Sequence, residues 1–289
     1  MKLIALDLDG TTLNTNKFIS EETLNSIKKA QAAGHIVMIL SGRSPNSVKD
    51  ELSKYDLNCP IGGHNGTALY VNGELIELNS LGGPQIQAIA LEVEKEILPY
   101  NISTNKGIFA PSNWEQRFEQ VVSSGRVPKE YFENRHFKMF TTSPKVYGHS
   151  FFNKVHEIID NEHFTIQKFL ILTLDPKQMV RLEQKLRLID ETYVTSSSPF
   201  NLEVTHLNGN KGYGLKAMAS YFNIPLENTV AIGDEKNDLP MLNIAGLSIA
   251  MGNAEEEVKL SSDVVTLSND ENGVAYAFEK YIFTESNVL

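Results

Sequence analysis

Both ends of the chain are built from short apolar runs, each stopping abruptly at a cluster of polar residues, while the middle is patterned differently. Residues 2–6 read as a strand that runs straight into Asp7. Ser20 with Glu21 and Glu22 reads as a capped helix start, acids in the first turn suiting the helix dipole, and Gly34 as its end. Residues 35–40 read as a buried strand, 45–55 as a helix and the segment near Ile61 as a short strand. A hairpin turning at Asn72-Gly73 follows, a pair suited to two-residue turns between strands. The pattern returns after residue 206: a helix over 212–222, strands over 229–232, 247–250 and 264–266, and helices over 239–243 and 273–281. Strands alternating with helices imply a mainly parallel sheet covered on both faces, the doubly wound, Rossmann-like α/β class.

Between these ends, Leu81-Gly82-Gly83-Pro84 reads as a linker. Beyond it, helices are expected over 85–98, 151–159 and 177–188, and strands over 101–110, 165–174, 193–196 and 201–205. The stretch 114–148 has no assignable period. The simplest architecture is one core made from residues 1–83 and 206–289, with 84–205 inserted as a second, α+β domain.

Charge follows the same division. The chain has 289 residues and a formal charge of −10. Residues 84–205 are nearly balanced, with 14 basic and 15 acidic, while the remainder holds 12 basic and 21 acidic. So acidic a chain is poorly suited to sequence-independent binding of nucleic acid or an anionic membrane, and its acidic part calls for a cation. The longest apolar runs are too short to cross a bilayer, and the brief stretch before Asp7 does not read as a signal peptide. A single cysteine, Cys59, excludes an internal disulfide framework and fits a reducing, cytoplasmic compartment.

Open α/β sheets carry their sites at the carboxyl ends of the strands. Here those ends hold Asp7-Leu8-Asp9, Ser41-Gly42-Arg43, His64-Asn65-Gly66 and Asp234 through Asp238, and Lys211 opens the preceding helix. Asp7, Asp9, Asp234 and Asp238 on one rim would repel unless a hard divalent cation joined them, and oxygen ligands of this kind suit Mg²⁺. A metal, a lysine, a hydroxyl and glycine-flanked backbone amides together form a place for a phosphoryl group, beside which a carboxylate can act as nucleophile.

The strings DLDGTT (7–12), SGR (41–43), HNG (64–66), NKGYGLKAM (210–218), AIGDEKNDLPML (231–242) and AMGNA (250–254) resemble those of the haloacid dehalogenase superfamily. They are most similar to the Cof-type phosphatases of its IIB branch, which carry a large α+β cap inserted after the third core strand. The resemblance implies an Mg²⁺-dependent phosphoric monoester hydrolase acting on small phosphorylated metabolites, sugar phosphates first, as a monomer or a homodimer. It assigns Asp7 as nucleophile and Asp9 as general acid/base, which requires Asp7 ionised and tolerates a raised pKa on Asp9. It assigns Asp7, the main-chain carbonyl of Asp9 and Asp234 to the metal, with Asp238 supporting the metal shell. Ser41, Lys211, Asn237 and the amides of Leu8 and Gly42 correspond to phosphate contacts, and Arg43 and Asn65 to substrate contacts. The cap is expected to govern specificity. A sugar phosphomutase shares these strings, and a metabolite-binding regulator with little turnover is the reading from another class.

Thr12 replaces the leucine usual in the first string, and Glu235-Lys236 the usual Gly-Glu of the fifth. Asp263 and Asp270 read as solvated strand-end carboxylates. Trp114, Phe118, Tyr131, Phe132, Phe137 and Phe140 read individually as core residues and collectively as a lid, and His136, His149, His156 and His163 show no ligand spacing.

Overall fold

The computed structural model describes residues 1–134 and 137–283, so His136 lies outside the described residues. Two compact units divide the chain: Met1–Leu78 with Gly209–Leu289, and Asn79–Asn208. In chain order the strands are β1 Leu3–Leu6, β2 Ile36–Leu40, β3 Ile61–Gly63, β4 Ala68–Val71, β5 Glu74–Leu78, β6 Tyr100–Thr104, β7 Gly107–Pro111, β8 Ser150–Phe152, β9 Ile166–Leu172, β10 Thr192–Thr195, β11 Asn201–His206, β12 Thr229–Gly233, β13 Leu247–Ala250 and β14 Val264–Val265.

The first unit carries a sheet in the order β14-β13-β12-β1-β2-β3-β4-β5. The run from β14 to β3 is parallel, and β4 and β5 are antiparallel additions at one edge. All four residues of β1 are buried, as a central parallel strand covered on both faces requires. β1 joins the two ends of the chain: Leu3 stands opposite Ile36 on one side and Thr229 on the other. This is the α/β class read from the sequence. Asn72 and Gly73 both take positive φ, 52° and 83°, as a tight hairpin turn with the strands' own twist demands. Ser20 accepts from the amide of Thr23 to cap helix Glu21–Ala32, Ser44 caps Pro45–Ser53, and Asn210 caps Lys211–Tyr221.

The second unit has a sheet in the order β10-β11-β9-β6-β7-β8, antiparallel except where β7 meets β8. Helices Gly83–Lys95 and Pro176–Leu186 bury Ile89, Val93, Leu182 and Leu186 in a core shared with Tyr100, Phe169, Ile171 and Val204.

Two sequence expectations are corrected. The Leu81–Pro84 stretch is not a free linker: Leu81 is buried in the second unit's core and Gly83 opens a helix, with Pro84 in the first turn where its fixed φ suits a helix. Residues 151–159 are not one helix. Phe151 and Phe152 pair with β7, and a single helical turn, His156–Ile159, follows. A three-residue edge strand has too short a period to be told from a helix start. Of the aromatic residues, Trp114 is buried in the second unit's core, and Phe118, Tyr131, Phe137 and Phe140 are half-buried against it. Trp114 stacks on Phe118 with ring centroids 5.5 Å apart, and Tyr131, Phe137 and Phe140 each meet the ring of Phe200. Phe132 is the exposed exception, although its ring also meets Phe137. Within 114–148 lie helix Trp114–Ser123, which buries Trp114, Arg117 and Val121 along one face, a 3-10 turn Lys129–Glu133 and a short helix Phe137–Thr141.

Candidate active site

The ends of β1, β2, β3 and β12 and the start of helix Lys211–Tyr221 all belong to the first unit, and most of the residues they carry join two hydrogen-bonded groups. The deeper group is centred on Lys211, whose side chain is fully buried. Its ammonium lies 2.5 Å from Asp7 Oδ1 and 2.5 Å from Asp238 Oδ1. The other oxygen of Asp238 accepts from the amides of Asp234 (2.8 Å) and Glu235 (2.9 Å), so this carboxylate is committed to holding the loop after β12. Thr11 donates through Oγ1 to Asp234 Oδ1 at 2.8 Å, and Asn253 donates through Nδ2 to the Gly10 carbonyl and to Asp234 Oδ2.

The backbone makes room for this packing at Gly10. It takes φ +86°, and a Cβ there would stand 2.2 Å from Asp234 Oδ2. Only glycine brings the turn after β1 so close to that carboxylate.

Asn237 donates through Nδ2 to Asn65 Oδ1 at 3.2 Å, while its own buried Oδ1 has no hydrogen-bond partner. Asn65 is buried in the left-handed region, φ 63°, which asparagine tolerates. Ser41 is buried, its Oγ accepting from the Arg43 amide and its carbonyl from the Asn65 amide, which ties the ends of β2 and β3 together across Gly42. Leu8 is fully buried and its carbonyl closes the turn by accepting from the Leu13 amide.

The second group surrounds Asp9. Arg43 donates Nε to Asp9 Oδ2 at 2.6 Å and Nη2 to Asp9 Oδ1 at 2.7 Å, a two-pronged pairing, and Lys17 Nζ reaches Asp9 Oδ1 at 2.9 Å. The Asp9 side chain is therefore directed to two cations, while the carboxylate oxygens of Asp7, Asp234 and Asp238 lie within 4.8 Å of one another.

The two aspartates are shifted in opposite directions. Burial pushes Asp7 up to about 7, with Lys211 opposing and Asp238 and Asp9 adding to the rise. Burial also acts to raise Asp9, but the Arg43 fork and Lys17 outweigh it and hold the group down at about 2. Asp234 is raised by burial and by its acidic neighbours. Burial opposes the charge on Lys211, yet Asp238 and Asp7 raise its pKa. Three buried carboxylates around one ammonium leave an excess of negative charge, and hard oxygen donors so close together fit a divalent cation.

Several participants were not singled out from the sequence. Thr11 and Asn253 stand inside strings already quoted; Thr12, noted there only as a replacement for leucine, donates its hydroxyl to the Asp7 carbonyl. Lys17 carried no signal, since it reaches Asp9 from a turn in which it takes φ 63°. Glu51 did carry one: it shares the buried face of helix Pro45–Ser53 with Val48 and Leu52, where a charge needs a partner. Asp263 and Asp270 are not idle. Asp263 accepts from the amide and hydroxyl of Ser248, and Asp270 accepts from both groups of Thr15. Among the cap histidines, His156 pairs with Asp160 at 3.1 Å.

A profile described as haloacid dehalogenase-like hydrolase matches residues 4–278. The chain belongs to the haloacid dehalogenase-like hydrolases. It is an enzyme of that family, a phosphatase, and its likeness to the Cof-type IIB branch holds over both units. The 5-amino-6-(5-phospho-D-ribitylamino)uracil phosphatase YwtE of Bacillus subtilis (strain 168) is 32% identical over 285 residues, covering 98% of each chain. The solved structure of a haloacid dehalogenase-like hydrolase from B. subtilis superposes with a TM-score of 0.84 at 28% identity, over 98% of this hydrolase and 100% of that chain. The IIB sugar phosphatase BT4131 shares the fold, with a TM-score of 0.77 at 22% identity over 96% of this hydrolase and 98% of that chain. Among the described residues of this hydrolase, no helix is long and apolar enough to cross a membrane.

Proposed function

We propose that this hydrolase is a cytoplasmic, Mg²⁺-dependent phosphatase of small phosphorylated metabolites, with sugar phosphates as the leading class. The observation that carries the reading is the fully buried Lys211 held between Asp7 and Asp238, beside Asp234. An ammonium without access to water, set against a carboxylate at a strand end, suits a tetrahedral dianion better than a neutral substrate. The name of YwtE specifies a phosphate on a ribityl chain, which supports sugar-like esters as substrates.

The Asp7 and Asp234 carboxylates and the Asp9 main-chain carbonyl would hold Mg²⁺, with Asp238 fixing the loop that carries Asp234. When bound, the ion supplies positive charge that keeps Asp7 ionised and screens it from the incoming phosphate. Asp7 attacks phosphorus; the bond from its oxygen to phosphorus forms as the bond to the leaving oxygen breaks. Asp9, which takes up a proton once the Arg43 and Lys17 cations leave its carboxylate, gives that proton to the leaving oxygen and later takes one from the water that cleaves the aspartyl-phosphate. Lys211, the Ser41 hydroxyl, Asn237 and the amides of Leu8 and Gly42 receive the phosphoryl oxygens. Arg43 and Asn65 face the rest of the substrate, and the inserted unit, assigned to residues 84–205 from the sequence, selects among substrates.

Phosphate release from a panel of phosphorylated metabolites, with Mg²⁺ and with EDTA, tests the reading in wild type and Asp7→Asn. Release that needs Mg²⁺ and vanishes in the variant is expected. Release that survives in Asp7→Asn would remove Asp7 from its role. Turnover only with a bisphosphorylated activator would make the enzyme a mutase.

A further inference from the structure

Glu51 belongs to none of the strings that mark the site, yet it is buried on helix Pro45–Ser53. Its Oε2 accepts from Arg43 Nη1 at 3.4 Å and from Lys54 Nζ at 3.0 Å. Its Oε1 is buried and has no hydrogen-bond partner. Arg43 meanwhile directs Nε and Nη2 to the two oxygens of Asp9. A guanidinium is a rigid planar fork that grips one carboxylate at a time with paired bonds. Buried carboxylate oxygens are ordinarily satisfied, because an unmade bond leaves the cost of desolvation uncompensated. Arg43 thus stands between two acids, doubly bonded to one and weakly bonded to the other, and the second acid retains a buried oxygen with capacity for another donor.

We infer that Glu51 is a positioning residue that offers Arg43 a second seat. Moving the fork from Asp9 to Glu51 removes the paired bonds from the Asp9 carboxylate and leaves it only the exposed Lys17, and returning the fork parks Asp9 again. Both acids already touch the same guanidinium, Asp9 through Nε and Nη2 and Glu51 through Nη1. The kinetic consequence rests on the phosphatase reading; the two-seat arrangement itself does not.

Arginine side-chain NMR reads the seats without turnover. In Asp9→Ala, the Nε–H of Arg43 should remain protected from solvent exchange because the fork settles on Glu51, and that protection should vanish in Asp9→Ala/Glu51→Gln. Loss of protection in Asp9→Ala alone overturns the second seat. Steady-state kinetics then reads its use. Glu51→Gln should lower kcat by about tenfold with little change in KM, a coupling of ordinary size for contacting charged groups. It should add nothing in an Arg43→Ala background, and Glu51→Asp should recover part of the loss. An unchanged kcat, or an equal loss with and without Arg43, overturns the positioning role, and a thermal midpoint for each variant separates it from misfolding. Should wild type release no phosphate from any compound, the phosphatase reading fails while the NMR outcome still decides the seats.

Discussion

Asp7 and Asp9 leave the same strand with one residue between them and enter opposite electrostatic regions. The region around Asp7 is closed to water and rich in acids, with Lys211 as the cation that pairs with both Asp7 and Asp238. The region around Asp9 is half-open and rich in cations, with Arg43 and Lys17 on a single carboxylate. Strand alternation would place both residues on one face; instead the chain turns beyond the end of β1 and carries Asp7 and Asp9 into surroundings that no local sequence preference distinguishes. Chemical type therefore does not assign protonation here, and the long-range partners do.

The difference between the regions is open to attack in order of expected effect. Asp7→Asn should lower phosphate release by roughly a thousandfold or more, as loss of a covalent nucleophile does. Lys211→Met should leave buried acids without their cation and cost about 3–5 kcal/mol in urea unfolding with EDTA present. An undiminished midpoint would show that the closed region is wetter than its burial implies. Arg43→Ala, in the half-open region, should cost only about 1 kcal/mol in the same measurement, because its side chain keeps partial contact with water.

The finest test uses pH, with EDTA present. Native Asp7 holds its proton up to about 7 against an ordinary 3.8, so its contribution to stability is full below the ordinary value and is lost as pH rises through 7. Native Asp9 sits at about 2 against the same 3.8, so its contribution is present above the ordinary value and is lost as pH falls through 2. Wild type minus Asp7→Asn should therefore fall between pH 4 and 7, and wild type minus Asp9→Asn should fall on acidification below 4. Mg²⁺ should flatten the first slope and leave the second. Slopes of the same sign would erase the contrast between the regions.

What could be read in advance follows the range of the interactions involved. The strand ends, the Asn72-Gly73 turn and the capped helix starts depend on neighbours within a few residues, and their signals survive in a bare sequence. The deep cluster was legible because Asp7, Lys211 and Asp238 stand at the ends or starts of regular elements. The fork of Arg43 on Asp9 was not: both residues were named, but their partnership depends on how the ends of β1 and β2 turn. In the second unit, β8 is held by its pairing with β7, and its three residues carry no period of their own. The same holds for Leu81, whose flanking glycines suggested freedom while its side chain is buried.

The position of β1 between β2 and β12 has a consequence for synthesis. A growing chain can pair β1 with β2 early, but the strand on the other side, and Asp234 beyond it, emerge only after all of residues 79–208. The inserted unit has its own apolar core and can fold while the first strands wait with one long edge open. The last third of the chain then closes that edge and, in the same event, brings Lys211 and Asp238 to Asp7. The enzyme's charge cluster is thus assembled late in its own biogenesis, and a ribosome-stalled fragment ending before β12 should hold a folded insert beside an unfinished, aggregation-prone sheet.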